Sequence, residues 1–94
     1  MDFRYFLDPD TGQPHIHGHG VTEAEVEFIV QDPGEDLPGR DGCRQALGKT
    51  ESGRYLRVIY VPDPDPGNVF IVTAYELNGK PLAAYRRRQR RRGR

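Results

Sequence analysis

Cys43-Arg44-Gln45-Ala46-Leu47-Gly48-Lys49-Thr50, Glu51-Ser52-Gly53-Arg54, Tyr55-Leu56-Arg57-Val58-Ile59-Tyr60-Val61 is the stretch that decides the fold. Its two flanks follow a period of two and are rich in β-branched and aromatic residues, while the middle carries the serine and glycine of a tight turn. Residues 43–50 and 55–61 therefore read as two strands of an antiparallel hairpin. Downstream, Pro62-Asp63-Pro64-Asp65-Pro66-Gly67 is a stiff connector. Asn68 to Tyr75 is a third strand, apolar on both faces and so expected inside the sheet. Asn78-Gly79-Lys80-Pro81 is the next break. Leu82-Ala83-Ala84-Tyr85 then opens a helix with Pro81 at its first position. Like charges at i, i+4 oppose its extension into the arginines that follow, so its end stays open.

Upstream of the hairpin, residues 32–42 read as an acidic loop with Pro33, Pro38 and three glycines. Before them lies the best-specified local element, a helix over residues 22–31. Thr22-Glu23-Ala24-Glu25 is a capping box, Val21 and Val26 occupy the positions of a hydrophobic staple, and Glu23 and Glu25 suit the positive end of the helix dipole. Val26, Ile29 and Val30 recur at i, i+3, i+4 as one core-facing stripe. Asp32-Pro33-Gly34 stops it. At the N-terminal side, Phe3-Arg4-Tyr5-Phe6-Leu7 reads as a short strand, Asp8 to Gly12 as a turn, and His15-Ile16-His17 as a short extended piece.

The expected fold class is α+β: a small antiparallel sheet of three to four strands, an early helix, and a basic C-terminal helix or tail. Ninety-four residues suffice for one domain, here residues 1–85, with 86–94 as an arginine-rich tail. No internal repeat is visible. One cysteine, Cys43, cannot form an internal disulfide, and no apolar stretch follows Met-Asp-Phe-Arg as in a secretory signal, so a reducing, cytoplasmic setting is expected. No apolar run approaches the roughly 20 residues that span a bilayer, and no membrane partner is expected.

The formal charge of zero conceals an asymmetry. All fourteen acidic side chains lie in residues 1–80, beside seven basic ones, while residues 81–94 carry seven arginines and no acid. Arg86, Arg87, Arg88, Arg90, Arg91 and Arg92 suit a polyanion, because guanidinium groups fork onto phosphate oxygens and release counterions when they bind nucleic acid. Tyr85 beside them is placed to stack on an unpaired base. Two other readings stand alongside: a solvated tail neutralised by the acidic body, and docking to an acidic protein.

His15, His17 and His19 would point the same way along an extended segment, which makes them a weak alternative zinc site. Gly18 and Gly20 loosen that segment, and no cysteine or carboxylate follows at a recognised ligand spacing. His19, just before the helix cap, is the better single candidate, either as a proton-transfer group or as a structural hydrogen-bonding partner. Arg44, Lys49, Arg54 and Arg57 lie on or between the hairpin strands, where some of them would converge on a scissile phosphate or form an ordinary charged solvent face. Tyr60 and Tyr75 read as residues packed in the sheet. Cys43 has no histidine near it in sequence and reads as buried rather than nucleophilic. There is no phosphate loop, dinucleotide fingerprint or G-x-S-x-G elbow.

The order of features, His19-Gly20-Val21-Thr22, the Glu-Ala-Glu-Val helix ending at Asp32-Pro33, Arg44, Leu47-Gly48-Lys49-Thr50, Gly53-Arg54-Tyr55-Leu56, Val58-Ile59-Tyr60 and Thr73-Ala74-Tyr75, resembles the BrnT-type toxins of bacterial toxin–antitoxin pairs. It is also similar to short bacterial proteins of unassigned function. The resemblance covers roughly residues 15–77. It implies a fold like the RelE ribonucleases and a partner antitoxin of ribbon-helix-helix type. His19 matches the histidine of the family's His-Gly-Val motif, Arg44 the arginine opening the first hairpin strand, and Lys49 the basic residue after that strand's glycine. The family closes its last strand on an Ile-Ser-Ala-Arg-type motif, whereas this chain has Val72-Thr73-Ala74-Tyr75, with Tyr75 in the place of the arginine.

The expectation is a toxin-type endoribonuclease acting on RNA without a cofactor, with His19 in acid–base work, Arg44 and Lys49 stabilising the phosphorane, and Tyr75 as a second proton donor. The alternative is a non-catalytic module that binds nucleic acid or protein through the C-terminal arginines.

Overall fold

The computed structural model describes residues 1–93. Its elements run β1 (Asp2–Tyr5), a 3₁₀ turn (His15–His19), α1 (Glu23–Gln31), β2 (Glu35–Pro38), β3 (Arg44–Lys49), β4 (Tyr55–Pro62), β5 (Asn68–Glu76) and α2 (Gly79–Arg92). The class is α+β. The sheet has five strands in the order β1-β5-β4-β3-β2. This exceeds the three to four read from the sequence. It is also mixed, since β1 pairs parallel to β5 while the other neighbours are antiparallel.

The extra strand is β2, which falls in the stretch read as loop. Its composition, Glu-Asp-Leu-Pro, opposes β-structure, and an edge position makes it tolerable: β3 pairs with one side of it, and its other side is unpaired. At the opposite edge, β1 and β5 lie far apart in sequence, so no local signal announces their pairing.

Helix α1 forms as its sequence dictates. The Thr22 hydroxyl accepts the Glu25 N–H at 3.2 Å, and the Glu25 carboxylate accepts the Thr22 N–H at 3.0 Å. Val26, Ile29 and Val30 are buried against one sheet face, where Ala46, Leu56, Val58, Ile71 and Ala74 meet them. A fully buried aliphatic side chain stabilises by about 1.5–3 kcal/mol, so this layer is the main core. Gly48 lets α1 approach closely, since a Cβ there would lie 3.2 Å from Ile29 Cγ2.

Alternation along β4 sends Leu56, Val58 and Tyr60 toward α1 and leaves Tyr55, Arg57 and Ile59 on the other face. A β-bulge then re-aims the end of β5. Ile59 pairs with Thr73 but Tyr60 pairs with Ile71, so Val72 is the extra residue. Val69, Ile71 and Ala74 consequently share the α1 face, while Tyr75 turns to the second face. A strict period of two would have put Tyr75 on the same side as Ile71.

Helix α2 crosses one end of that second face, over a smaller cluster of Leu47, Leu77 and Tyr85 with Tyr55 and Leu82 beside it. It begins at Gly79 after Asn78, two residues earlier than the sequence suggests. Pro81 is the third helical residue, where the backbone N–H has no intrahelical acceptor to lose. The helix persists to Arg92 despite its run of like charges. Arg88 is paired with Glu35, the Gly34 carbonyl accepts from Arg92, and cations suit the negative end of the helix dipole. Neither helix is long and apolar enough to cross a membrane.

Candidate active site

The part of the second face left open by α2 is a cleft of about 630 Å3 between the Pro38–Cys43 loop and the ends of β3, β4 and β5. Arg57 and Tyr75 stand on its floor as direct register partners across β4 and β5. Arg57 Nη1 donates to the Tyr75 hydroxyl at 3.4 Å, and its guanidinium carbon lies 5.9 Å from the Tyr75 ring centroid. Arg57 Nε is buried and has no hydrogen-bond partner, and no carboxylate pairs with this guanidinium among the described residues. Arg57 lines the open cleft without a carboxylate partner among the described residues, so its guanidinium is a group on which an anion in the cleft can be received.

The 3₁₀ turn brings His19 beside Tyr75, its ring centroid 6.0 Å from that of Tyr75, although His19 is not among the residues that line the cleft. Gly20, at φ 71°, takes the left-handed conformation that closes the turn, and Val21 then enters the core just ahead of the Thr22 cap. Arg54, from the β3–β4 turn, locks this arrangement. Its Nη1 donates to the Gly20 carbonyl at 2.9 Å and to both Glu25 carboxylate oxygens at 3.1 Å. Partial burial raises the Glu25 pKa, but the Thr22 N–H and the Arg54 guanidinium outweigh it and hold the carboxyl below its ordinary value. The segment that carries His19 is thus tied at Gly20, through Arg54, to the capping box of α1.

His15, His17 and His19 do not share one side. The segment is helical rather than extended, His17 Nε2 meets Glu23 Oε1 at 2.6 Å, and His15 stacks edge-on against His19 at 5.2 Å. Among the described residues no three histidine, cysteine or acidic side chains gather as metal ligands.

The other residues singled out in the sequence lie elsewhere. Arg44 faces the α1 side, where its Nε donates to Asp36 Oδ1 at 3.0 Å and its Nη2 to the Asp36 carbonyl at 3.1 Å. Tyr60 donates to Asp36 Oδ2 at 2.7 Å, and burial together with this acceptor pushes its phenol up to about 12. That network ties β2 to the sheet. Lys49 shares the second face but stands at its far end, beneath α2, beside Tyr55. Tyr85 is 4% exposed and packs in the smaller cluster, which leaves its ring no open face for a base. Arg88 grips the buried Glu35 carboxylate with bonds of 2.5 and 2.8 Å, and Arg92 donates to the Gly34 carbonyl at 2.8 Å. Arg86, Arg87, Arg90 and Arg91 are exposed and form no ion pair among the described residues.

Of the candidates His19, Arg44, Lys49 and Tyr75, the structure brings together His19 and Tyr75, and it adds Arg57. The sequence showed Arg57 as one basic residue of four near the hairpin. The signal that separates it is its alternation with Tyr55 and Ile59 on β4, joined to a cross-strand register that only the bulge defines. No protein-family model matches this chain, and no curated protein matches it.

Proposed function

We propose that this protein is an endoribonuclease of the small-toxin type, cleaving RNA through the RNA's own 2′-hydroxyl and needing no cofactor. The observation that carries the reading is Arg57, half-buried, without a carboxylate, and held against Tyr75 beside the His19 ring. In the reaction His19 accepts the 2′-hydroxyl proton as that oxygen bonds to the adjacent phosphorus. Arg57 neutralises the phosphorane, and the Tyr75 hydroxyl gives its proton to the departing 5′-oxygen. The products are a 2′,3′-cyclic phosphate and a 5′-hydroxyl. The imidazolium then returns its proton to the phenolate, so the proton balance closes.

The chain departs from the BrnT-like pattern at one position of this site. Where that family's pattern has an arginine, this chain has Tyr75, and Arg57 stands directly across the strand pair from it. A cation is thereby kept at the site from the neighbouring strand. Toxins of that kind pair with an antitoxin, and a ribbon-helix-helix protein is the partner this reading expects.

The test is incubation of a labelled, structured RNA with the protein in EDTA at low salt. His19→Ala should lower cleavage by roughly 100-fold or more, as loss of a positioned proton-transfer group does. Arg57→Ala should match it, while Arg44→Ala should leave the rate within a few-fold of wild type. Cleavage that survives both His19→Ala and Arg57→Ala would sink the assignment.

A further inference from the structure

We propose that a second cleft, between the β3–β4 hairpin and α2, binds the phosphates of single-stranded RNA next to the cleavage site. The proposal rests on the ribonuclease reading and adds to it the path of the strand. The cleft measures about 410 Å3, and its walls include Lys49, Tyr55, Arg86, Gln89 and Arg90. No acidic side chain lines it, although the chain carries fourteen acids. Lys49 Nζ and the Arg86 guanidinium carbon each lie 5.8 Å from the Tyr55 ring centroid. Tyr55 is itself braced edge-on by Tyr85, at 6.1 Å and 71°. One aromatic ring therefore meets two cations, and neither has an ion-pair partner among the described residues. Arg90 follows Arg86 by one helical turn and joins them on the same side of α2. Three cations thus line one cleft that has no acidic residue in its walls, and a phosphate diester is the ligand whose charge and oxygens suit it.

The arginines of α2 are thus not an undifferentiated brush. Arg88 and Arg92 are used to hold the helix on Glu35 and Gly34, Arg86 and Arg90 line the cleft, and Arg87 and Arg91 are exposed and absent from its walls. Tyr55 and Arg57 are alternate residues of β4 on one sheet face, about 7 Å apart along the strand. The two clefts share no lining residue, so a strand that reaches both passes around the cluster of Leu47, Leu77 and Tyr85 beneath α2. An RNA strand has a phosphodiester to offer at each of these points, whereas an acidic peptide has no group for the His19–Tyr75–Arg57 chemistry.

The experiment is a fluorescence-anisotropy titration of the full chain with a short, labelled, fully 2′-O-methylated RNA, which lacks the attacking hydroxyl and stays intact. Lys49→Gln with Arg86→Gln should weaken binding roughly tenfold at about 0.1 M salt and flatten the logarithmic salt slope by about 1.4, at ~0.7 per single-strand phosphate contact. Arg87→Gln with Arg91→Gln, an equal change of charge, should weaken binding less than about threefold. Both pairs are exposed at the surface, and thermal melts would show that each variant stays folded. Equal losses in the two variants, or none in either, would overturn the cleft. So would displacement of the RNA by an acidic peptide of matched charge as effectively as by unlabelled RNA, which would make the cleft a protein-docking site. Cleavage assays keep the two proposals apart. Binding through the cleft with no cleavage of ordinary RNA defeats the ribonuclease reading alone. Cleavage with unchanged binding in the Lys49–Arg86 variant defeats the cleft alone.

Discussion

Helices α1 and α2 lie on opposite faces of one sheet and are held there by different physics. Helix α1 is seated by an aliphatic stripe, with Val26, Ile29 and Val30 all buried, and is begun by a complete capping box. Helix α2 buries only Tyr85 fully and owes the rest of its attachment to polar contacts on a single short segment. Arg88 binds the Glu35 carboxylate, while Gln89 and Arg92 both donate to the Gly34 carbonyl. The first arrangement suits a permanent part of the core. The second anchors one side of a helix through its own arginines, while the other sides keep their guanidinium groups in water. The difference teaches that arginines adjacent in sequence have separate duties: some hold the helix, and others remain available to a polyanion.

The sharpest way to break this comparison is to attack each anchor. Ile29→Ala should cost about 2–5 kcal/mol in chemical denaturation, the usual range for an aliphatic side chain truncated in a closed core. A loss under about 1 kcal/mol would mean that α1 is not the seated helix described. Arg88→Met should lower the midpoint of chemical denaturation, since it leaves the buried Glu35 carboxylate unpaired. Glu35→Gln should cost less, because Arg88 is 42% exposed and water can serve it. The reverse order would show that apolar packing, not the ion pair, seats α2.

Gly34→Ala tests the same anchor sterically. A Cβ at that position would overlap the Tyr85 hydroxyl, so the substitution should destabilise by about 1–3 kcal/mol. Adding Tyr85→Phe should recover part of the loss, and a double-mutant cycle with no coupling would refute the contact.

The smallest expected effect is a pH dependence on the α1 side. The Glu25 carboxyl is held below its ordinary value of 4.5 in the folded protein. It therefore contributes stability at pH above 4.5, and that contribution is lost as pH falls through the lowered folded value. Glu25→Gln should remove about 1 kcal/mol at neutral pH, in line with the loss of a helix cap, and should flatten the acid limb of a stability profile. An acid limb identical to wild type would show that Glu25 is not the titrating group.

How far the sequence carried the reading depends on the range over which each signal acts. The capping box, the aliphatic stripe of α1, the hairpin of residues 43–61 and the strand at 68–75 were legible, because each is specified by residues within a few positions of one another. Strand β2 was not, since its Glu-Asp-Leu-Pro composition is made acceptable only by an edge position. The three histidines would form one ligand row only on an extended segment, and the 3₁₀ turn sends His17 to Glu23 while His15 and His19 stay against each other. Arg44 and Tyr85 carried suitable chemistry, yet the sheet and the small cluster use them for structure.

The sequence by itself determined the class of the fold, the start of α1, the hairpin and the concentration of positive charge at one end of the chain. These follow from short-range backbone and side-chain chemistry. Only the tertiary structure decided which of those groups meet. The extra residue at Val72 turns Tyr75 to the open face, the β4–β5 register sets Arg57 across from it, and the Arg54 clamp on Gly20 carries His19 alongside. Register and bulges are fixed by pairing between distant segments and by the total fit of the core, and no local pattern in the chain encodes them.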